Sequence, residues 1–469
     1  MEKRLELRNP RTALVVYLAV TCLFSWTMLA LAKALASDPK APPEWRRIYA
    51  WALGKDGRLL EAGEAWRALS SDSRDRALAA EACFFAGFLP YEAGLYALSR
   101  ERFQSCNDAL RGTPWDEQAR WYEALSWLLD AKGGEALPLL QQLVDDVPSS
   151  KEAEKYRYWL AHAQRSVGLE EHAAETFARV AAQEPTSWYG LLARKRLSSK
   201  PVLGAVVARD AFAQSAATDA EAEDVRLLYA FGFAEAARER AARQGTTQRG
   251  LALSQVVDDA HRSWRHGARY RPSPAVRQGK LNASTGWRAS YPEPFPDLVV
   301  SSSVRHGIEP ALTWAIMRTE SGFAPEARSP VGALGLMQLM PYTASGIATV
   351  LGVDSPSVTE LQKPETNIEL GTGALGLWMR ELGHPVLVVA SYNGGPNNVV
   401  RWLRSFGHLP PDLFVERIPF LETRDYVKKV LPTLALYRAL RGEALDVSLP
   451  ETSFDAPRGE VTVFTPTTP

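Results

Sequence analysis

From about residue 44 onward, apolar side chains recur three and four positions apart through stretches rich in Ala, Leu, Arg and Glu. That is the spacing of helices with one buried face. The pattern breaks near both ends of the chain. At the start, Lys3, Arg4, Arg8 and Arg11 precede an uncharged apolar run from Ala13 to Ala32. Ala34-Leu35-Ala36 and then Ser37-Asp38-Pro39 follow it. A basic start, an apolar run and a small-x-small site form the layout of a secretory signal. The run is also long enough to span a bilayer. Residues 1–36 are therefore read as a leader with two outcomes, cleavage after Ala36 or retention as an inner-membrane anchor. Both carry the body of the protein out of the cytoplasm, because the basic residues stay inside. At the other end, residues 446–469 are rich in Pro, Thr and Asp and are expected to be poorly ordered.

Between these ends lies a weak internal repeat. Its clearest copy runs from Tyr158 to Pro185, with Leu160, Ala161, Gly168, Ala173, Phe177, Val180 and Pro185 at the anchor positions. A second copy has Ala124, Ala136, Leu140, Leu143 and Pro148, and a third has Ala50, Gly57, Ala62, Trp66 and Leu69. Two short helices, a small residue where they cross and a large one in the groove make a tetratricopeptide-like unit. Such pairs bury their apolar faces by stacking into a solenoid. Residues 44–271 are assigned to it, including an amphipathic helix pair from Val225 to Arg243. Residues 272–290 carry Pro, Gly and Ser and read as a linker. A proline-rich strip, Tyr291 to Pro296, opens a different region that extends to about Leu445.

The length of 469 residues suits two or three domains, and 46% hydrophobic residues suffice for packed cores. The 14 tryptophans and 15 tyrosines are mostly assigned to helix packing. Lys plus Arg and Asp plus Glu are balanced at 54 each, which gives no reason to expect a nucleic-acid partner. Metalloprotease, P-loop and nucleophile-elbow motifs are absent, and no metal or cofactor is implied. Beyond the leader, the cysteines are Cys83 and Cys106. They could pair in an oxidising compartment, but two cysteines are no disulfide framework, and burial in helices is the preferred reading.

The segment Leu312 to Gly322 carries the first candidate chemistry. Leu312, Ala315, Ile316 and Thr319 mark one helix face, and Glu320 follows Ile316 by four residues. Its carboxyl projects from the apolar side, near the C-terminal end. Burial and the negative end of the helix dipole both raise a carboxyl pKa there. A proton retained near neutral pH is what a general acid needs. The plain alternative is a solvated glutamate at a helix end. Next comes the glycine-punctuated run from Ser329 to Pro341. In it, Gln338 offers two donors and an acceptor suited to a sugar hydroxyl or N-acetyl group. A third segment, Val388 to Pro396, reads as a helix that stops at Asn393-Gly394-Gly395 and a new one that starts at Pro396. Tyr392 and Asn393 fall at that corner.

Six blocks in order carry a resemblance: Glu320-Ser321; Ser329 to Ala333; Gly335 to Gln338 with Met340-Pro341; Asn367-Ile368 with Gly371; Ala390 to Pro396; and Ile418-Pro419-Phe420 through Glu422-Thr423-Arg424 to Tyr426-Val427. Residues 291–445 resemble the catalytic domain of the soluble lytic murein transglycosylase family, and the solenoid resembles the superhelical arm of its larger members. The resemblance implies an all-α protein, a tetratricopeptide-like solenoid followed by a lysozyme-like α domain. It implies periplasmic cleavage of the β-1,4 bond between N-acetylmuramic acid and N-acetylglucosamine, leaving a 1,6-anhydro end. Glu320 would be the single acid and base, assisted by the substrate's N-acetyl group. Ser329, Gln338 and Met340 would shape the sugar subsites, and Tyr392, Asn393, Glu416 and Tyr426 would line the opposite wall. Glu416 and Glu422 stay open as a second carboxylate. The implied partners are glycan strands and, through the solenoid, proteins of cell-wall synthesis or division. A hydrolase of the same fold and an inactive glycan-binding adaptor are the rival readings. The domain from Tyr291 is expected to fold alone.

Overall fold

The computed structural model describes residues 42–72, 75–197, 291–454 and 461–464, with 223–225, 227, 228, 231 and 233–243 in between. The leader and the linker assigned to 272–290 lie outside the described residues. Among the described residues no helix is long and apolar enough to cross a membrane. Among the described residues regular structure is all helical, apart from two isolated β-bridges that link Arg328 to Leu334 and Leu334 to Leu339. The chain forms two compact units, residues 1–176 and 177–469.

The first unit is built from sequential helices: α1 (Pro43–Lys55), α2 (Leu59–Asp72), α3 (Arg76–Glu92), α4 (Tyr96–Ser105), α5 (Asn107–Leu110), α6 (Asp116–Leu129), α7 (Gly133–Asp146) and α8 (Ala153–Ser166). Most of its packing is between neighbours in sequence, with α4 also on α6 and α3 also on α5 and α6. The repeat positions Ala50, Ala62, Leu69, Ala124, Ala136, Leu140, Leu143 and Ala161 have at most 1% exposure, so the apolar spacing reports the core directly. Turns between paired helices pass through left-handed residues, Gly57, Gly94 and Gly168, and Ala131 takes the same conformation. An aromatic cluster of Trp51, Trp66, Phe84, Phe85, Phe88 and Trp115 fills the space around α3. Against the sequence expectation, Cys83 on α3 is disulfide-bonded to Cys106 at the end of α4. The antiparallel helix pair sets their Cα atoms 5.7 Å apart, within bridging distance.

Helix α9 (Glu170–Gln183) spans the division between the units and buries Ala173, Phe177 and Val180. The second unit continues with α10 (Trp188–Arg196) and α11 (Ala234–Ala242), then α12 (Pro296–His306), α13 (Pro310–Glu320), α14 (Pro341–Leu351), α15 (Pro364–Leu382), α16 (Pro385–Gly394), α17 (Pro396–Phe406), α18 (Pro411–Arg417) and α19 (Leu421–Leu440). Pro296, Pro310, Pro341, Pro364, Pro385, Pro396 and Pro411 each open a helix, where the missing N–H costs nothing. The long α19 packs on α13, α16 and α18, and α15 packs on α12, α14 and α16.

Two features depart from the expected boundaries. Helix α10 packs on α19, so the compact unit includes residues well before Tyr291. The described part of the C-terminal segment is packed as well. Leu445, Val447, Leu449 and Phe454 are buried, and the indole of Trp378 donates to Thr462 O at 3.0 Å. Phe464 lies over Gly346, where a Cβ would come within 2.4 Å of its ring. The composition suggests a polar tail, but Val447, Leu449, Phe454 and Phe464 find sites on the domain.

Candidate active site

Helix α13 delivers Glu320 as its last residue. Leu312, Ala315, Ile316 and Met317 are fully buried, and the Trp314 indole donates to Pro294 O at 2.9 Å, which fixes the helix against its own lead-in. The helix stops because Ser321 leaves the helical path and Gly322 and Phe323 turn left-handed. The Ser321 hydroxyl donates to Leu336 O at 2.7 Å and accepts from Phe323 N at 3.0 Å, tying the helix end to the loop that follows.

The half-buried Glu320 has its carboxyl pKa pushed up to about 7. Burial is the main cause; the charge of Glu422 adds to it, while a hydrogen bond from Tyr426 and the charge of Lys429 oppose it. The Tyr426 hydroxyl donates to Glu320 Oε1 at 2.6 Å. Both Tyr426 and Tyr392 have phenol pKa values raised well above the usual, first by burial and then by the Glu320 charge, so both remain protonated donors.

The loop from Ala327 to Met340 is held by buried polar atoms. Asn367 on α15 is fully buried: its Oδ1 accepts from Met337 N at 2.7 Å, and its Nδ2 donates to Leu334 O at 3.0 Å and Leu361 O at 2.7 Å. Gly335 is left-handed, and a Cβ there would lie 2.3 Å from Asn367 Nδ2, so both its angles and its bareness are required. The Tyr392 hydroxyl donates to Met337 O at 2.7 Å, so the Met337 residue is gripped at both its N–H and its carbonyl. Gln338 has φ 50°, and its Nε2 donates to Ala327 O at 3.1 Å and Gly335 O at 2.8 Å. Both amide protons are thus committed to the loop, and its Oε1 is the atom to consider for a sugar. Ser329 Oγ accepts from Ala333 N at 2.9 Å and keeps its own proton to donate. Met340, half-buried, stands immediately before α14 in extended conformation. Asn393 Oδ1 accepts from the Thr423 hydroxyl at 2.6 Å, joining α16 to α19.

Glu416 departs from the expected wall. It is 1% exposed, with Oε1 accepting from the Tyr189 hydroxyl at 2.6 Å and Oε2 from Lys428 at 2.8 Å. A carboxylate so enclosed is held by its two protein partners, which offset the cost of burying it. Glu422 is exposed and acts on Glu320 through its charge.

Residues 297–415 match the family model described as the transglycosylase SLT domain. This chain carries an SLT domain. It is similar to the soluble lytic murein transglycosylases of Salmonella typhimurium (32% identity over 300 residues, 63% of this chain and 45% of the relative) and of Escherichia coli K12 (32% over 301 residues, the same shares). It is also similar to the membrane-bound lytic murein transglycosylase C of Edwardsiella ictaluri, 35% identical over 31% of this chain and 47% of the relative. The chain thus spans under half the length of these relatives. In fold it is similar to the 70-kDa soluble lytic transglycosylase of E. coli (TM-score 0.66, 24% identity, covering 96% of this chain and 71% of that one). A structure of the lytic transglycosylase Slt of Pseudomonas aeruginosa matches as closely (TM-score 0.66, 23% identity, 95% and 70%).

The SLT match contains Glu320, the 327–340 loop, Asn367, Tyr392 and Asn393, but ends before α19. Tyr426 and Lys429, which act on Glu320, and Thr423, which bonds Asn393, come from beyond it. Lys429 was not among the residues singled out from sequence, and Thr423 stood there only within a matched block. Their signal is the three-residue spacing of Thr423, Tyr426 and Lys429, which puts them on one face of a helix.

Proposed function

We propose that the chain is a peptidoglycan lytic transglycosylase acting in the periplasm, with Glu320 as its single acid and base. The observation that carries this reading is a half-buried glutamate at a helix C-terminus with its pKa pushed up to about 7 and a buried tyrosine hydroxyl on one oxygen. Such a group holds a proton at neutral pH and can release it where a leaving oxygen develops charge. In the proposed reaction Glu320 donates its proton to the glycosidic oxygen as the bond from C1 of N-acetylmuramic acid breaks. The carbonyl oxygen of the sugar's own N-acetyl group bonds to C1 in its place. The 6-hydroxyl oxygen then attacks C1 and displaces the acetyl oxygen, and its proton returns to Glu320. No water is consumed, and the product ends in a 1,6-anhydro ring.

Tyr426 and Lys429 favour the anionic form that Glu320 takes between the two steps, while burial favours the acid form before it. The balance keeps one residue competent in both roles. Ser329, with its free proton, and Gln338 Oε1 are proposed as sugar contacts, with Met340, Tyr392 and Asn393 as the shaping walls. The family's own names support the substrate class, and the P. aeruginosa structure is of an inactive glutamate-to-glutamine variant, as this reading expects for Glu320. Export by the N-terminal leader, cleaved or kept as an anchor, would bring the enzyme to its substrate. Contacts with wall-synthesis or division proteins through the helical arm remain part of the proposal. Mass spectrometry of fragments released from purified sacculi tests the chemistry. Anhydro ends, one water lighter than reducing ends, are expected; reducing ends alone would make the protein a hydrolase, and no release would favour an adaptor.

A further inference from the structure

Helix α19 bears the groups around Glu320 on one side and a buried ionic cluster on another. Tyr426 donates to Glu320, and the charge of Lys429, one turn on, acts on the same carboxyl. Lys428 points elsewhere, about 200° around the axis from Tyr426 at 100° per residue. Its ammonium donates to Glu416 Oε2 at 2.8 Å and to the Tyr189 hydroxyl at 2.8 Å. The Tyr189 hydroxyl donates in turn to Glu416 Oε1 at 2.6 Å, closing a triangle between α10, α18 and α19. Two further links reinforce the junction. Arg424 donates to Glu416 O at 2.9 Å, and Arg196 pairs at 2.6 Å with Asp412, itself 2% exposed.

A buried ion pair is a poor source of stability, since apolar residues of the same volume serve as well or better. What it supplies is direction: a triangle of three short hydrogen bonds tolerates one rotation and one register of the helix that carries it. We propose that Tyr189, Glu416 and Lys428 form a positioning device that sets the rotation and register of α19, and so the placement of Tyr426 and Lys429 against Glu320. None of the three touches substrate. The inference rests on the reading of Glu320 as the acid, and it makes α10, which lies about a hundred residues before Tyr291, a working part of the catalytic unit.

The test uses the full chain and two variants, Tyr189→Phe and Lys428→Met, with Tyr426→Phe as a reference. The charged and titratable groups acting on Glu320 are Tyr426, Lys429, Glu422 and, through the reciprocal effect on its own phenol, Tyr392; all are kept in the first two variants. The Tyr426 hydrogen bond holds the Glu320 pKa down, so a loosened α19 should raise it. A carbon-13 NMR titration of the Glu320 carboxyl is expected to move up by about half a unit in Tyr189→Phe, in the same direction as in Tyr426→Phe. Turnover on sacculi should fall about 3- to 10-fold with KM little changed, as expected for a misplaced partner of the acid. The alkaline limb of the pH profile should follow the titration. Folded Tyr189→Phe protein with wild-type midpoint and limb would overturn the proposal, whatever its melting temperature. Tyr189→Phe removes one oxygen and keeps the ring, so it decides the matter even if Lys428→Met does not fold. If the wild type releases no muropeptides, the functional reading fails, while the titration still judges the device.

Discussion

The helical arm and the second compact unit are both helical in their described residues, yet they hold themselves together by different means. In the arm, each helix packs on its sequence neighbours through apolar residues that recur at a fixed spacing, such as Ala124, Leu140 and Ala161. In the second unit, the contacts that hold the site are polar, buried, made once and distant in sequence. Asn367 grips Met337 and Leu334 across about thirty residues, Tyr426 reaches Glu320 across 106, and Tyr189 reaches Glu416 across 227. The difference teaches that a repeated scaffold can drift residue by residue, whereas a site that must hold a proton in place is built from atoms with no substitute.

The sharpest way to break this comparison is at Glu320. Glu320→Gln keeps the shape and removes the proton, so release of soluble muropeptides should fall at least about 1,000-fold. Its stability should move the other way. Between the ordinary value of 4.5 and about 7 the native state holds a proton that the unfolded chain has lost. The stability due to that proton is complete below 4.5 and disappears as pH rises to about 7. The variant should therefore gain on the wild type at pH 8, by up to about 3 kcal/mol, and gain little at pH 4. Denaturant melts at the two pH values check this.

A chain cut to begin at Tyr291 comes next. It strips Tyr189 from Glu416 and Arg196 from Asp412, and removing one partner of a buried pair costs about 3–5 kcal/mol. Limited proteolysis should find it far less stable than a chain that keeps α10. Asn367→Asp replaces two donated hydrogen bonds by oxygen facing carbonyl oxygen, and should cost at least about 3 kcal/mol. Leu140→Met in the arm changes more atoms but should cost under about 1.5 kcal/mol. Equal costs at the two sites would remove the contrast. The smallest effect on function is expected from Cys83→Ser with Cys106→Ser. Opening a loop with a sequence separation of 23 residues should lower the stability of the arm by about 3 kcal/mol and leave the alkaline limb of activity where it was.

What could be read from sequence follows the same division. The helical arm was legible because its core positions repeat, and Glu320 because apolar spacing brings it to a helix end. Asn367, Tyr392 and Tyr426 were visible as parts of a family pattern, but the work of Asn367 in holding the loop was not, since no periodicity marks a side chain that bonds a distant backbone. Glu416 misled for the same reason: a glutamate beside the other matched residues reads as part of the wall, and only the approach of Tyr189 and Lys428 shows it turned inward. The disulfide needed the spatial pairing of two helices, and the C-terminal segment looked polar because its anchors, Phe454 and Phe464, are few.

The central claim is that Glu320 is protonated near neutral pH because the fold buries it at the end of a helix. Its carboxyl can be titrated directly by carbon-13 NMR in the unliganded full chain. A midpoint near 7, matched by the alkaline limb of muropeptide release, is the predicted result; a midpoint in the ordinary carboxyl range near 4.5, with activity persisting unchanged well above neutral pH, would contradict it.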